Sequence, residues 1–374
     1  MRHRTLVPMP LRSSLLAVLV AVLWGVNFVV IDIGLGDVPP TLFVALRFLV
    51  VLVPAIFLVP RPRARWRDVL LVGTFMSLGQ FGLLYTALAL GMPAGLASLV
   101  LQAQVVLTVL FAAAALREVP TRAQLLGVLV GAAGLVVVGV GRSASTPALA
   151  FVVTLAAAAS WAVGNVVARR AGSRRDQGST SADQGSTSAD QGSTSRDQGS
   201  TSAGRDAPSR PGLEGLSMTV WSALVVPLPM LGLSLVLDGP DAVGHALTHL
   251  TLAPVLSTLY TAWLASLVGY GIWNTLLTRY PASAVVPFTM LVPPVGMLAA
   301  WVVLDEVPNA AELLGGVVLL LGVATTTGVL RRRPRHAPRA RPTSAEPGVA
   351  PHPPADLGSD PGFGGPEATR ARSR

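Results

Sequence analysis

The sequence predicts an all-α integral membrane protein of ten transmembrane helices, arranged as two inverted five-helix repeats with both termini in the cytoplasm. Three observations lead there: ten apolar stretches of membrane-crossing length, arginines gathered in alternate connections, and an internal duplication that carries Pro93 onto Pro281. Composition agrees. The 374 residues are 51% hydrophobic and 13% charged, against roughly a quarter charged in soluble domains, which excludes an ordinary soluble enzyme. All 28 basic residues are arginine, which carries no functional weight. The absence of cysteine excludes disulfides, thiolate nucleophiles and thiolate metal sites.

A helix needs about 20 mostly apolar residues to cross the hydrocarbon core. The opening MRHRTLVPMPLRSSLLAVLVAVLWG has the basic start and apolar run of a signal peptide. No small-residue cleavage site follows, and the pattern continues through VNFVVI, so it reads as a retained first helix over 13–33. Eight further stretches follow at 41–60, 69–90, 94–116, 122–141, 148–168, 216–237, 252–277 and 282–304, and the last runs over 311–330.

The net charge of +9 is a topology signal and not a nucleic-acid footprint, because the arginines flank apolar stretches and fill the tail. Arg2, Arg4 and Arg12 precede the first span. Arg61, Arg63, Arg65 and Arg67 follow the second, Arg117 and Arg122 the fourth, Arg169, Arg170, Arg174 and Arg175 the sixth, Arg279 the eighth, and Arg331, Arg332 and Arg333 the tenth. The opposite connections hold Asp32, Asp37, Asp238, Asp241, Asp305 and Glu306, and only Arg142 breaks the alternation.

Residues 176–203 repeat a heptad, DQGSTSA with one A replaced by R, and it has no apolar seam. The period therefore marks a disordered linker, taken as 169–213, and not a coiled coil. The tail over 331–374 is basic and expected to be disordered, with anionic lipid as a candidate contact. The repeat domains are 13–141 and 148–330.

The segment from Pro93 to Gly127 aligns without a gap on Pro281 to Gly315, with about a third of positions identical, Glu118 on Glu306 and Pro120 on Pro308 among them. Five helices separate matched positions, so the two copies cross the membrane in opposite senses. Such inversion suits a transporter, in which rocking one half against the other exposes a central site to each side in turn.

The strings LWGVNFVVIDIGL, ALRFLV, GQFGLLYTALALGMPAGLASLVLQAQ and GYGIWNTLLTRYPASAVVPFTMLVPPVGMLAAWVVLDE resemble the EamA family of drug/metabolite transporters. LGMPAGLASLVLQAQ and the segment with WN, YPAS and PF are most similar to its cysteine and O-acetylserine exporter branch. The resemblance covers most of 13–330 and implies a ten-helix fold with a cavity between the halves and export of amino acids or related metabolites. The heptad insertion departs from the short connection usual in the family.

Polar and aromatic groups inside a span face the bundle or an aqueous cavity. Trp24 with Asn27, and Trp161 with Asn165, each share one helix face. They offer either an aromatic platform with an amide, or interhelical glue. Gln102 and Gln104, two residues apart, point about 160° from one another on an ideal helix, so one at most contacts solute. Gln80, Tyr270, Trp273 and Asn274 are further candidates. Pro287, Pro293 and Pro294 should bend the ninth span and free carbonyls. Arg47 has two readings, a partner for a substrate carboxylate or a side chain snorkelling outward to carbonyls or Asp32. Glu118 and Glu306 stand before helices as caps.

No carboxylate falls at mid-membrane depth, which favours a neutral or zwitterionic solute over a cation exchanged for protons. Asp32 is the carboxylate available for proton coupling. No catalytic constellation, metal site or cofactor motif is present in the sequence. The expected partners are a small solute and membrane lipid, with no nucleic acid and no obligatory protein partner, in the plasma membrane of a bacterium. A wider drug or metabolite transporter, an importer of the same fold, and a scaffold built on the linker and tail are the competing readings.

Overall fold

The computed structural model describes residues 9–36, 38–62, 64–142, 146–189 and 211–329. Among them ten helices are long and apolar enough to cross a membrane: Leu11–Leu35, Pro40–Leu58, Trp66–Ala89, Ala94–Leu116, Arg122–Gly141, Ala148–Ala171, Leu216–Leu237, Leu252–Arg279, Ser283–Leu304 and Ala310–Thr327. Each overlaps a stretch expected from sequence. Phe57, Leu126, Val140, Leu228 and Val302 remain exposed on their outer faces, as a surface solvated by acyl chains requires.

Local chemistry sets the helix ends. Pro40 opens the second span with its φ already helical. Thr121 and Gln124 form a capping box at the fifth span, and Asn309 with Glu312 form another at the tenth. In each, side chain and backbone satisfy one another's first-turn amides. The two boxes fall on matched positions of the duplication, as do Arg117 and Asp305, which end the fourth and ninth spans in the left-handed region at φ 55°. The duplication seen in the sequence is thus repeated in backbone geometry.

Packing obeys the same relation. The fifth and tenth spans cross antiparallel through glycine. A methyl group built on Gly127 would lie 2.7 Å from Gly322 O, and one on Gly134 would lie 2.7 Å from Gly315 O. The register of the duplication carries Gly127 to Gly315 and Gly134 to Gly322, so each contact maps onto the other. The first span packs on the ninth as the sixth packs on the fourth, and the third packs on the sixth as the eighth packs on the first. A pseudo-two-fold axis therefore runs between the fifth and tenth, fourth and ninth, and second and seventh spans.

Regular helix fails in five spans, in the seventh as a single 3-10 turn over Ala223–Val225. The third is π-helical over Gly73–Gly79 and the eighth over Tyr260–Val268. The fourth turns at Leu101 and Gln102, and the ninth is 3-10 over Val286–Leu291. Irregular backbone at membrane depth persists where it is covered by protein or lines a cavity, and the breaks of the third, fourth, eighth and ninth spans point inward to one place.

Two features lie outside the sequence reading. A short amphipathic helix, Pro240–Thr248, sits between the seventh and eighth spans. The backbone of the sixth helix continues helical to Ala189, into the heptads, while 190–210 and the tail from 330 lie outside the described residues. The expectation that Glu118 and Glu306 cap the helices following them is corrected: Thr121 and Asn309 do so. Oxygen acceptors on residues at the helix boundary itself reach the first-turn amides more directly.

The glycine seam yields a prediction. Gly322→Leu would drive a side chain into Gly131 and the Gly127 carbonyl, whereas Gly232 has no atom within 4 Å of an added methyl group. Gly322→Leu should destabilise the detergent-solubilised protein by at least the ~1–3 kcal/mol typical of overpacking, and Gly232→Leu by about 0.5 kcal/mol or less. Thermal unfolding of the two variants at equal loading compares them.

Candidate functional site

Four of the broken spans, the third, fourth, eighth and ninth, converge on a cavity of about 290 Å³. Its wall draws on the first four spans and on the sixth, eighth and ninth, so both repeats contribute. This volume is near the small end of the roughly 300–1,000 Å³ typical of small-molecule sites.

One side is aromatic. The Trp24 ring lies 5.1 Å from that of Tyr270 and 5.4 Å from that of Trp273, both tilted. Trp24 is fixed because its Nε1 donates to Ala265 O at 2.9 Å. That carbonyl belongs to the π-helical segment. Gly269 makes the approach possible: a methyl group there would stand 2.8 Å from Trp24 Nε1. Trp161 of the second repeat completes the aromatic lining.

Arg47 supplies the charge. Only 2% of it is exposed, with the guanidinium 4.1 Å from the Phe81 ring centroid. One terminal nitrogen donates to Tyr85 Oη at 3.1 Å and the other to Ser266 Oγ at 3.2 Å. It does not snorkel and does not reach Asp32; stacking on Phe81 and two hydroxyl acceptors hold it inside the bundle. Among the described residues no carboxylate pairs with it, and its Nε is buried without a hydrogen-bond partner. Asn27 Oδ1 is likewise buried and unpartnered, on the same cavity wall. One cationic donor and one neutral acceptor are thus buried at the wall without a protein partner.

Polar neighbours fill the other walls. Gln80 is buried. Gln102 Nε2 donates to Thr289 O at 3.3 Å, which ties the broken part of the fourth span to that of the ninth. Asn165 Nδ2 donates to Gln104 Oε1 at 2.9 Å and to Thr108 Oγ1 at 3.3 Å.

Of the residues singled out from sequence, Trp24, Asn27, Arg47, Gln80, Gln102, Trp161, Asn165, Tyr270 and Trp273 come together on this wall. Asn274 and Asp32 do not line it. Pro293 and Pro294 stand in the first turn of the regular part of the ninth span, beside the break and not at its centre. Thr289 and Val292 provide the lining there. The expectation that one glutamine at most faces the site is corrected, since Gln102 and Gln104 both line it. The amides of Gln102, Gln104 and Val105 bond three residues back, and such a turn advances about 120° per residue, bringing alternate side chains closer to one face. LVLQAQVV holds no glycine or proline to announce that turn. Phe81, Ser98 and Thr289 also line the cavity, and only the inward-facing breaks, invisible in composition, would have identified them.

The EamA-like transporter family matches this chain over residues 11–140 and 208–328, two stretches that flank the heptads. The chain belongs to the EamA-like transporter family. As a member it is a multi-pass protein of a bacterial inner membrane that moves small metabolites and is not an enzyme. It is 36% identical over 324 residues to a probable amino-acid metabolite efflux pump of Escherichia coli, covering 86% of this chain and 97% of the relative. It is 38% identical over 314 residues to a protein of the same description from Salmonella typhimurium, with 83% and 93% covered. A probable terminal-alkyne amino-acid exporter of Streptantibioticus cattleyicolor is 27% identical over 265 residues, covering 71% of this chain and 74% of its own. A protein of known crystal structure, 19% identical, superposes at a TM-score of 0.52 over 87% of this chain and 99% of its own, a likeness of fold.

The geometry around Arg47 predicts that Arg47→Lys lowers transport about tenfold or more at matched membrane abundance. A single ammonium cannot stack flat on Phe81 while donating to both Tyr85 and Ser266 and offering a further nitrogen to the cavity. Initial rates of solute efflux from preloaded cells measure the effect.

Proposed function

We propose that this EamA-like transporter exports small amino-acid-like metabolites of the cysteine and O-acetylserine type by alternating access, with both termini cytoplasmic. The observation that carries the reading is the pair of unpartnered atoms buried at the cavity wall, Arg47 Nε and Asn27 Oδ1, which a solute reaches as the wall adjusts around it. A solute carboxylate satisfies the first and a solute ammonium the second, with the rings of Trp24, Tyr270 and Trp273 offering their faces to the cation. Among the described residues no Asp or Glu lines the cavity, so a zwitterion fits its charge better than a lone organic cation. The small volume disfavours bulky drugs. The descriptions of the relatives as efflux pumps and exporters of amino-acid compounds support both solute class and direction.

In this mechanism the solute enters from the cytoplasmic side, trades water for Arg47, Asn27 and the rings, and leaves when the two repeats exchange conformations about the fifth and tenth spans. A small cavity with few polar anchors suits transport, because binding must remain weak enough for release. Asp32, outside the cavity, remains the proposed carboxylate for any proton coupling.

Metabolites in the medium of cells expressing the parent chain, the double variant Trp24→Ala with Asn27→Ala, and an empty control test the proposal at equal membrane abundance. Selective accumulation of cysteine-pathway or other amino acids with the parent alone is expected. No difference between parent and empty control removes the amino-acid reading.

A further inference from the structure

The two repeats are alike in frame but differ at one pair of residues. Glu306, in the connection between the ninth and tenth spans, accepts from the backbone amide of Ala94 at 2.8 Å through one carboxylate oxygen and from that of Gly95 at 2.9 Å through the other. It clasps the start of the fourth span from across the pseudo-two-fold axis. Glycine at position 95 suits this close approach, because a methyl group there would stand 3.1 Å from Met297 Cα and 3.1 Å from Ala300 Cβ.

Its counterpart behaves otherwise. The register of the duplication carries Glu306 back to Glu118, and Ala94 and Gly95 forward to Ala282 and Ser283. Glu118 instead forms an ion pair with Arg169 at 3.0 Å, both side chains about half exposed. A pair this exposed in water stabilises little. Arg169 follows Trp161 at the same spacing as Asp32 follows Trp24. At one end the repeat-related neighbour is a cation that draws the glutamate away from the amides. At the other the matched position is the aspartate, which offers Glu306 no cation.

We propose that Glu306 and Glu118 are alternating latches of the transport cycle: in the opposite end state Glu118 accepts from the amides of Ala282 and Ser283 while Glu306 releases Ala94 and Gly95. An inverted repeat changes its open side when its halves exchange conformations, and the clasp seen in one half is the conformation the other must adopt. Each clasp bridges the fourth and ninth spans at one membrane face, next to the cavity those spans line. The opposite charges at Asp32 and Arg169 accord with the state found here, in which Glu306 holds its clasp and Glu118 pairs with Arg169. The proposal rests on alternating access and is independent of which solute is carried.

The chain has no cysteine, so a single Thr289→Cys reports access to the cavity. A membrane-impermeant thiol reagent is applied to right-side-out and to inside-out vesicles, which fixes the face reached whatever the orientation. Glu306→Gln should raise labelling from the Glu306 face by roughly tenfold, because one charge-assisted bond becomes a neutral one and the other is lost, the amide NH2 being unable to accept from a backbone N–H, and lower it from the other face. Glu118→Gln should do the reverse. Labelling that shifts in the same direction for both variants, or for neither, overturns the proposal. A second measurement needs neither glutamate variant. Spin labels at Leu90 and Val307, and at the repeat-related Thr278 and Val119, are all at exposed positions. Their two distances should change in opposite senses when O-acetylserine is added or, if the metabolite measurement excludes that solute, between vesicles and detergent. Distances that lengthen together contradict it. Reciprocal labelling with no amino acid in the medium would leave the latches standing and dismiss only the solute.

Discussion

Hydrocarbon offers no hydrogen bonds, and that constraint organises the molecule. A chain crossing the membrane must satisfy its own amides and carbonyls, so ten helices form wherever about 20 apolar residues allow. Any departure from regular helix must be covered by other protein. The departures in the third, fourth, eighth and ninth spans all abut one cavity, and the carbonyls they expose are used: Ala265 O holds Trp24 and Thr289 O holds Gln102. Two side-chain atoms on that wall, Arg47 Nε and Asn27 Oδ1, lack partners. In a medium this dry an unpartnered charge-bearing donor is costly, and a solute that supplies the missing partner recovers the cost.

The frame around the cavity is regular and tightly packed in the fifth and tenth spans and irregular in spans that line the cavity. Glycines bring the fifth and tenth spans into backbone contact, and the capping boxes at Thr121 and Asn309 fix where these two helices begin. Neither span lines the cavity. The spans that do are held by longer side-chain bonds across the axis, such as Asn165 to Gln104. Such contacts can be exchanged without opening a void, whereas glycine against glycine cannot be slid without a clash.

Much of this was legible in the sequence. Hydropathy located each span because the requirement for length and apolarity is nearly independent of tertiary context. The gapless match of Pro93–Gly127 to Pro281–Gly315 revealed the inversion, which the φ of Arg117 and Asp305 repeats. Trp24, Asn27 and Arg47 stood out because polar groups in a span need a reason. What escaped was set by three-dimensional contact. The turn at Leu101 and Gln102 has no breaker in its sequence, so an ideal helix points Gln102 and Gln104 apart although both line the cavity. Glu306 read as a cap on the helix following it, yet it caps a segment 211 residues away. Arg47 has acceptors on the third and eighth spans, which no local pattern links to it. Asn274 shares a helix with Trp273 but, one residue on, faces elsewhere.

The account stands on recognition of a zwitterion by two poles, and solute-dependent stabilisation of the purified protein measures that most directly. Unfolding temperature should rise with O-acetylserine or cysteine, and should not rise with the methyl ester, which removes the anion for Arg47, or with the N-acetyl form, which removes the cation facing Asn27 and the rings. Stabilisation by the methyl ester equal to that by the parent amino acid would contradict the assignment of Arg47, and with it the central claim.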